Sequence, residues 1–159
     1  MGIRSTAKAV IFRQGKLLLN KCFDEHNGSY YSLPGGGQHT DETIHEALIR
    51  ECREETGYSV IPENFLALCE EICQNPKTRE INPEYIHKMY HIFLCTIESD
   101  KVQEPTEVDD MQICSEWIEL DKIDNIRLMP EMLNGKMKTL VDTKIPMFLG
   151  AKRIDYNHG

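Results

Sequence analysis

Long apolar runs are scarce in this 159-residue sequence. The longest uncharged apolar run near the N-terminus covers residues 9–12, which is too short for a signal sequence or a membrane span. The length suits one ordinary domain over residues 1–159, without a second domain of typical size. We therefore expect a soluble, cytoplasmic, single-domain protein that has no membrane partner.

Positive charge is also in short supply. The chain has 18 Lys and Arg residues against 26 Asp and Glu residues, which gives a formal net charge of −8. Binding to nucleic acid irrespective of its sequence depends on Lys and Arg neutralising phosphates. The charge balance argues against such binding, and a phosphate compound would be a ligand only with the help of cations.

The six cysteines lack the spacing of a disulfide scaffold or a zinc site. Cys69 and Cys73 form a C-x-x-x-C pair, but the sequence has no second pair of comparable spacing. The other cysteines are scattered through apolar or helical stretches, as is typical of reduced thiols in the core of an intracellular protein. We expect free thiols and assign no metal to them.

The order of the strand-like and helix-like segments indicates an α/β protein. Residues 5–21 predict a hairpin with its turn at Arg13-Gln14-Gly15, because Gly supplies the positive φ of a tight turn. Residues 84–98 are rich in β-branched and aromatic side chains and predict a long central strand. Residues 114–120 predict a further strand.

Other segments predict a second helix and two surface loops. Pro130 and the apolar positions up to Val141 predict this helix, although Gly135 weakens it. Residues 99–110 are polar and predict a surface loop. The polar segment 73–85 reads equally well as a specificity loop over a pocket or as a surface excursion.

The strongest local pattern is "LPGGGQHTDETIHEALIRECREETGYSV", residues 33–60. Thr43 can cap a helix, and Glu46 three residues later completes a capping box. Gly57 lies where a C-terminal cap belongs. The pattern predicts a helix over residues 44–56.

Acidic side chains converge around this helix. Positions four apart stand on one face, so Glu51 and Glu55 project side by side, with Glu54 flanking them. Glu42 lies near the start of the helix. Carboxylates this close raise one another's pKa values and destabilise the helix unless a positive charge lies among them.

Cations and glycines would make these acids into a binding site. Arg50 can offset part of the repulsion through Glu46 and Glu54, each four residues away. Divalent cations would offset more, since magnesium prefers oxygen ligands and commonly bridges carboxylates to substrate phosphates. The glycines at residues 35–37 could bring a carbonyl to a metal and amides to a phosphate. We expect the glycine loop and the helix to form one site.

Either feature alone is usually unremarkable, because most Glu-rich helices are solvated faces and most Gly triplets are turns. Together they supply a spaced set of identities: Gly36, Glu42, Arg50, Glu51, Glu54, Glu55 and Gly57. This set resembles the Nudix box, Gly-x5-Glu-x7-Arg-Glu-U-x-Glu-Glu-x-Gly-U, where U is a bulky aliphatic residue. The likeness covers 23 of the 159 residues directly.

The sequence departs from the family pattern at four positions. Cys52 and Tyr58 occupy the two U positions. Asp41 stands where the family often has Gly, and His39 stands where many members have an acid. The first two changes concern local packing, whereas Asp41 and His39 could alter the loop before the helix and a ligand contact. Every catalytic identity of the box is present.

The resemblance implies an α/β/α sandwich around a mixed β-sheet. It implies a metal-dependent hydrolase that cleaves the pyrophosphate linkage of a nucleoside diphosphate joined to another moiety. The implied cofactor is Mg²⁺, with Mn²⁺ as a substitute, and a homodimer is compatible with the family. ADP-ribose or a nucleotide sugar is the favoured substrate. A nucleoside triphosphate pyrophosphatase and a non-catalytic sensor of nucleotide metabolites are the alternatives.

The resemblance also implies residue roles. The expected metal ligands are the carbonyl of Gly35, Glu51, Glu54 and Glu55. The expected catalytic residues are Glu54, Glu51, Arg50 and Glu42. From the residues themselves, the expected substrate contacts are the backbone of Gly36 and Gly37 and the ring of Tyr31, which precedes the glycine loop and could stack on a base. The general base is left open between a box glutamate and the loop acids Glu107, Asp109 and Asp110.

Three further residues are assigned no catalytic role. His87 and His91 lie about 13 Å apart on a strand that rises about 3.3 Å per residue, so they cannot share a metal ion. Trp117 is expected to pack in the core.

Overall fold

The computed structural model describes residues 2–159 of the chain. The strands of this part are β1 (Arg4–Arg13), β2 (Lys16–Asp24), β3 (Gly28–Ser32), β4 (Gly35–Gly37), β5 (Val60–Cys73), β6 (His87–Ile97), β7 (Gln112–Glu119), β8 (Leu128–Met129) and β9 (Met147–Ile154). The α-helices are α1 (Ile44–Thr56), α2 (Pro76–Ile81) and α3 (Met137–Thr143). Short 3-10 helices cover Pro83–Tyr85, Leu120–Asn125 and Glu131–Leu133.

All nine strands belong to one mixed sheet. Its main order is β8-β3-β2-β1-β6-β5-β9, with β4 paired to β1 and β7 paired to β2. The β1–β6, β3–β8 and β5–β9 pairs are parallel, and the others are antiparallel. Because β6 occupies one edge of β1, strands β4 and β2 share the other edge. There, residues 6–8 of β1 pair with β4 and residues 11–13 pair with β2.

Helices pack on both faces of the sheet, because the buried side chains of the strands alternate between two cores. The core on one face joins strand residues to α1: Ala7, Ala9, Ile11, Leu18, Ala47, Leu48 and Cys52. The core on the other face joins strand residues to α3: Val10, Leu17, Leu19, Met137, Leu140 and Val141. The α/β/α sandwich with a mixed sheet is therefore confirmed.

The strand predictions are confirmed, with small shifts of their ends. Gln14 and Gly15 form the two-residue hairpin turn with φ of 49° and 75°, and Arg13 pairs with Lys16. The predicted central strand is β6, which lies between β1 and β5. The strand predicted at residues 114–120 is β7.

The prediction of a second helix after Pro130 is wrong in its extent. Gly135 has φ of 77°, which is outside the helical range, so the segment divides into a 3-10 helix at Glu131–Leu133 and the separate helix α3. The apolar positions still do what their pattern indicates, since Leu133 and Met137 are both buried. The residues on both sides of Gly135 are therefore buried as predicted, but the helix does not continue through Gly135.

The cysteine and tryptophan predictions are confirmed. All six cysteines are free, and Cys114 is the one that is not buried. Trp117 packs against Tyr58 with ring centroids 5.8 Å apart. No helix formed by residues 2–159 is both long enough and apolar enough to cross a membrane.

Candidate active site

Helix α1 begins and ends where its capping residues place it. The side chain of Thr43 accepts a hydrogen bond from the Glu46 amide, and the Glu46 carboxylate accepts one from the Thr43 amide, so the capping box is complete. At the other end Gly57 adopts φ of 77° and donates its amide to the Arg53 carbonyl. These caps fix which residues of the helix face the glycine strand.

The glycine triplet is a short strand, which corrects its expected reading as a loop. It pairs antiparallel with β1 in the register Thr6–Gly37, Ala7–Gly36 and Lys8–Gly35. Gly35 has φ of 134°, and a Cβ there would overlap the Ala7 carbonyl, so only glycine allows this approach.

Gly36 brings the backbone close to an acid of α1. A Cβ at Gly36 would stand 2.5 Å from the carboxyl carbon of Glu51. The lack of a side chain at this position therefore leaves room for the Glu51 carboxylate beside β4.

Arg50 joins the carboxylates of the box. Its Nε donates to Glu42 Oε1 at 2.7 Å, and its Nη1 donates to Glu51 Oε1 at 2.9 Å and to Glu54 Oε2 at 3.2 Å. Its Nη2 donates to the Gly37 carbonyl at 3.0 Å. The hydrogen bond from Arg50 is the main reason that the pKa of Glu42 falls to about 2. Arg50 thus ties the glycine strand to α1.

One expected partner of Arg50 is wrong. Glu46 forms no hydrogen bond or ion pair with it, and the Glu46 carboxylate instead accepts the Thr43 amide at 2.7 Å in the capping box. Glu42 takes that place by reaching back from the residue before the N-cap.

Glu55 differs from the other acids because it is buried, with 8% of its surface exposed. Its Oε2 accepts hydrogen bonds from the Gly35 amide at 2.9 Å and from Asn20 Nδ2 at 3.0 Å. Burial raises the pKa of Glu55 to about 7, although the positive charge of Lys8 opposes the rise. Asn20 lies on β2 and Gly35 on β4, so this carboxylate bridges the two strands that share one edge of β1.

The donor set is of the chemical type that a hard divalent cation prefers. Glu51, Glu54, Glu55 and the Gly35 carbonyl offer only oxygen atoms. Burial and then the charge of Glu51 raise the pKa of Glu54, so a cation among these acids would relieve a real repulsion.

The side chains are not gathered around a single point as they stand. Within residues 2–159, no group of three His, Cys, Asp or Glu side chains is arranged to hold a metal ion. Arg50 contacts Glu51 and Glu54, and Lys8 Nζ donates to the Gly35 carbonyl at 2.9 Å. A metal would take over oxygens that these cations now contact.

A cavity of about 430 Å³ lies in front of the acids. One wall consists of the glycine strand and Glu51, Glu54 and Glu55. Glu107 and Asp109 of the loop between β6 and β7 line the cavity, and so does His39. Its floor is formed by side chains of β1 and β6: Arg4, Thr6, Lys8, Lys88 and Tyr90. His158 closes it from the C-terminal segment.

Several expected site residues lie elsewhere. Tyr31 does not line this cavity; its hydroxyl donates to Glu116 at 2.9 Å and its ring packs on the core opposite α1. Among the loop acids, Asp110 does not line the cavity either. Of the segment 73–85, Tyr85 alone reaches it. Glu42 stays outside the cavity and acts through Arg50.

Two departures from the family pattern have a structural explanation. Asp41 has φ of 67°, a left-handed conformation that Gly adopts without strain and that Asp tolerates better than most residues. Cys52 occupies a fully buried position in the core between α1 and the sheet. Both residues therefore bear on packing and backbone conformation, and neither lines the cavity.

The cations on the floor of the cavity were not anticipated. Arg4, Thr6 and Lys8 alternate with the small residues Ser5 and Ala7 along β1, and this period of two was the available signal. Lys88 and His158 carried no comparable signal, since their place depends on how β6 and the C-terminal segment meet β1 and β5.

Comparison with known proteins is consistent with this geometry. The family model described as the NUDIX domain matches residues 2–141. The chain is 31% identical over 120 residues to the phosphatase NudJ of Escherichia coli strain K12, a match that covers 74% of this chain and 69% of that protein.

Solved structures share the fold at lower sequence identity. A NUDIX hydrolase from Nitrosomonas europaea has a TM-score of 0.65 at 20% identity, with 90% of this chain and 88% of that chain covered. An ADP-ribose pyrophosphatase from Streptococcus suis has a TM-score of 0.59 at 19% identity, with 95% and 99% covered.

Proposed function

Since the chain belongs to the Nudix family of hydrolases, we propose that it cleaves the pyrophosphate linkage of a nucleoside diphosphate joined to another moiety, with Mg²⁺ or Mn²⁺ as cofactor. The observation that carries the proposal is the placement of Glu51, Glu54 and Glu55 beside a side-chain-free strand at the wall of one cavity. The volume of about 430 Å³ lies in the range of small-molecule sites.

The residues that would hold the metal are Glu51, Glu54, Glu55 and Gly35 through its carbonyl. A divalent ion held there would supply a water of lowered pKa and neutralise charge on the phosphate oxygens. Gly36 and Gly37 offer a backbone without side chains, against which a diphosphate can lie closely.

Glu54 is the proposed general base, in which case Glu51, Glu55 and the Gly35 carbonyl would hold the metal without it. It lines the cavity, and its raised pKa, caused by burial and by the charge of Glu51, suits a group that takes a proton from the attacking water. Glu107 and Asp109 line the same cavity and remain the alternative proton acceptors, whereas Asp110 does not reach it.

Arg50 and Glu42 are proposed as positioning residues. Arg50 binds Glu51, Glu54 and the Gly37 carbonyl together, and Glu42 holds the guanidinium from the other side. The pair therefore sets the distance between the acids of α1 and the glycine strand without touching substrate.

ADP-ribose is the first substrate to test, followed by nucleotide sugars. The fold shared with an ADP-ribose pyrophosphatase from Streptococcus suis supports this order, and the sequence outside the box favoured the same class. Nucleoside triphosphates are the alternative class and belong in the same panel.

The decisive test replaces Glu54 or Glu55 by Gln and measures hydrolysis of this panel with magnesium and then manganese. We expect kcat/KM to fall by about 100-fold or more, because each change removes a negative charge while keeping the shape of the side chain. Glu46→Gln is the matched control, since it lies on the same helix and Gln serves in a capping box.

Unchanged turnover in both Glu54→Gln and Glu55→Gln would remove the proposal. Tight binding of a nucleotide metabolite by calorimetry, with no product formed when metal is present, would instead assign the chain to the non-catalytic sensors.

A further inference from the structure

The floor of the cavity carries a group of cations outside the acidic wall. Arg4, Thr6 and Lys8 occupy alternate positions of β1, so their side chains share one face of the sheet. In the parallel pairing with β6, Arg4 stands beside Lys88 and Thr6 stands beside Tyr90. All five side chains line the same cavity.

Lys88 is a buried charge without a bonded anion, although its Nζ lies 5.5 Å from the centroid of the Tyr90 ring. It is 5% exposed, and within residues 2–159 its ammonium forms no hydrogen bond or ion pair. Its cross-strand neighbour Glu71 is engaged elsewhere, with one carboxylate oxygen 2.7 Å from His158 Nε2 and 3.0 Å from the Tyr90 hydroxyl. Burying a charge is costly unless it is paired, so Lys88 lacks the anion that its position calls for.

Arg4, which is half-buried, also lacks an anionic partner. Its guanidinium lies over the Tyr85 ring at 4.6 Å from the centroid and packs against Gly37. Among residues 2–159 it forms no ion pair. Lys8 marks the border with the acidic wall, because it donates to the Gly35 carbonyl and its charge acts on Glu55.

Thr6 supplies an independent observation. It is 5% exposed, it lies between the two cations along β1, and its Oγ1 is buried without a hydrogen-bond partner. A buried hydroxyl normally has a partner. The Thr6 hydroxyl is therefore an unused donor close to Arg4 and Lys88, the two cations that lack an anion.

We propose that Arg4, Thr6 and Lys88 form an anion subsite that receives a phosphate group carried by the substrate in addition to the scissile linkage at α1. A phosphate monoester suits this set, because it offers several charged oxygens to an Arg fork, an ammonium and a hydroxyl at once. The inference rests on the proposed hydrolase function, and among the proposed substrates it favours those that carry such a further phosphate.

The chemistry of Lys88 agrees with this role. Burial lowers the pKa of Lys88 to about 8, against the charge of Glu71, which raises it. A bound phosphate dianion would restore the protonated form, so binding would be accompanied by proton uptake near this pH.

The binding test uses inorganic phosphate as the probe, titrated by calorimetry into the full chain in metal-free buffer. We expect saturable binding that weakens at least tenfold in Lys88→Met and in Arg4→Gln. Lys16→Met is the matched control, because Lys16 is exposed in the β1–β2 hairpin and should bind phosphate like the unchanged protein. No saturable binding, or equal binding by all variants, would overturn the subsite; weak binding of equal strength in all variants would mean adventitious ion binding only.

Lys88→Met could lose phosphate binding through a folding defect, so a second variant, Gly37→Ala, keeps both Arg4 and Lys88 in the chain. A Cβ at Gly37 would overlap the Arg4 guanidinium, and the end of a flexible side chain can move aside. Gly37→Ala should therefore weaken phosphate binding while the circular dichroism spectrum is retained. Retained binding in both Gly37→Ala and Arg4→Gln would remove Arg4 from the subsite.

Two substrate pairs identify the source of the phosphate. One pair is a nucleoside triphosphate and its diphosphate, and the other is ADP-ribose and its derivative phosphorylated on the terminal ribose. If the extra phosphate of one pair binds the subsite, Lys88→Met should raise KM at least tenfold for the substrate that carries this phosphate. For the substrate of the same pair that lacks it, KM should rise less than twofold. If neither pair responds, the subsite is wrong even when hydrolysis is normal. If no substrate is hydrolysed, the proposed function fails while the phosphate titration still tests the subsite.

Discussion

Arg50 and Lys88 show how differently two cations can be placed at one site. Arg50 is surrounded by carboxylates, and its hydrogen bonds to Glu42 and Glu51 raise its pKa further above the ordinary value. Lys88 is buried beside another cation, and burial lowers its pKa to about 8. The first cation stabilises the local structure in the absence of ligand, while the second one destabilises it until an anion binds.

Lys88 should therefore make stability depend on pH in the alkaline range. The groups that face it are Arg4 and Lys8 on β1, Glu71 and Cys73 on β5, Tyr90 on β6 and His158 in the C-terminal segment. Its pKa is lowered on folding from 10.5 to about 8, so between these values the unfolded chain binds more protons than the folded one. The contribution of Lys88 then becomes more favourable as pH rises through this window.

The prediction concerns Lys88→Met without phosphate. At pH 7 we expect this variant to be more stable than the unchanged protein by about 2 to 3 kcal/mol, because the cost of the buried charge is removed. The difference should shrink towards zero near pH 10. Urea denaturation of both proteins, with Lys16→Met as an exposed control, measures it, and a difference that does not vary with pH would contradict the prediction.

At the scale of elements, the C-terminus of α1 also anchors the loop that carries Glu107 and Asp109. The amides of Thr106 and Glu107 donate to the Glu54 carbonyl at 2.9 and 3.2 Å, and the Gln103 amide donates to the Gly57 carbonyl at 3.0 Å. The helix therefore positions two walls of the cavity at once. A Cβ at Gly57 would overlap the Gln103 carbonyl.

Gly57→Ala should displace this loop as well as strain the helix cap. We expect a loss of about 1 kcal/mol or more from the left-handed backbone, and lower hydrogen-exchange protection over residues 99–110. Gly135→Ala is the matched control, because Gly135 has the same φ of 77° but open space around its Cα. Equal effects of the two variants on the loop would show that backbone strain alone is responsible.

For the molecule as a whole, metal binding and folding should be linked. The acids that would hold an ion come from α1, and Glu55 among them bridges β2 and β4 through Asn20 and Gly35. An ion that binds the folded state alone stabilises it by about 2.7 kcal/mol at one hundred times its Kd. With an ion bound, the site would therefore be a source of stability that depends on metal concentration.

Magnesium should raise the Tm of the unchanged protein by several degrees, since about 1 kcal/mol corresponds to about 2–4 °C in a chain of this size. Glu55→Gln should lose most of this shift, and Glu46→Gln should keep it. Calorimetric melting over a series of magnesium concentrations makes the measurement, and the same shift in Glu55→Gln as in the control would exclude Glu55 as a ligand.

The sequence predicts this molecule best where one local pattern decides the structure. Thr43, Glu46 and Gly57 define α1 from both ends, and the structure has the helix over the predicted residues. Gly135 shows the limit of such patterns. The apolar spacing predicted one helix, but the positive φ of Gly135 divides the segment into a 3-10 helix and α3. Glu46 could contact either the Thr43 amide in the capping box or Arg50, and residue spacing alone does not decide between these two local contacts.

The floor of the cavity could not be read from spacing, since it depends on distant segments. Lys88 meets Arg4 through a parallel pairing of strands that are far apart in the chain. His158 reaches Glu71 from beyond residue 141, where the match to the family model ends. Local patterns reveal the acids of α1, and tertiary structure adds the cations opposite them.

The distribution of sulfur provides a practical assay for all of these variants. Five thiols are enclosed in the folded protein and one, that of Cys114, is partly accessible. A maleimide reagent should therefore modify the intact protein at a single position and the denatured protein at six. Mass spectrometry of the adducts over time would report how often each variant opens, so a failure to bind ligand can be separated from a failure to fold.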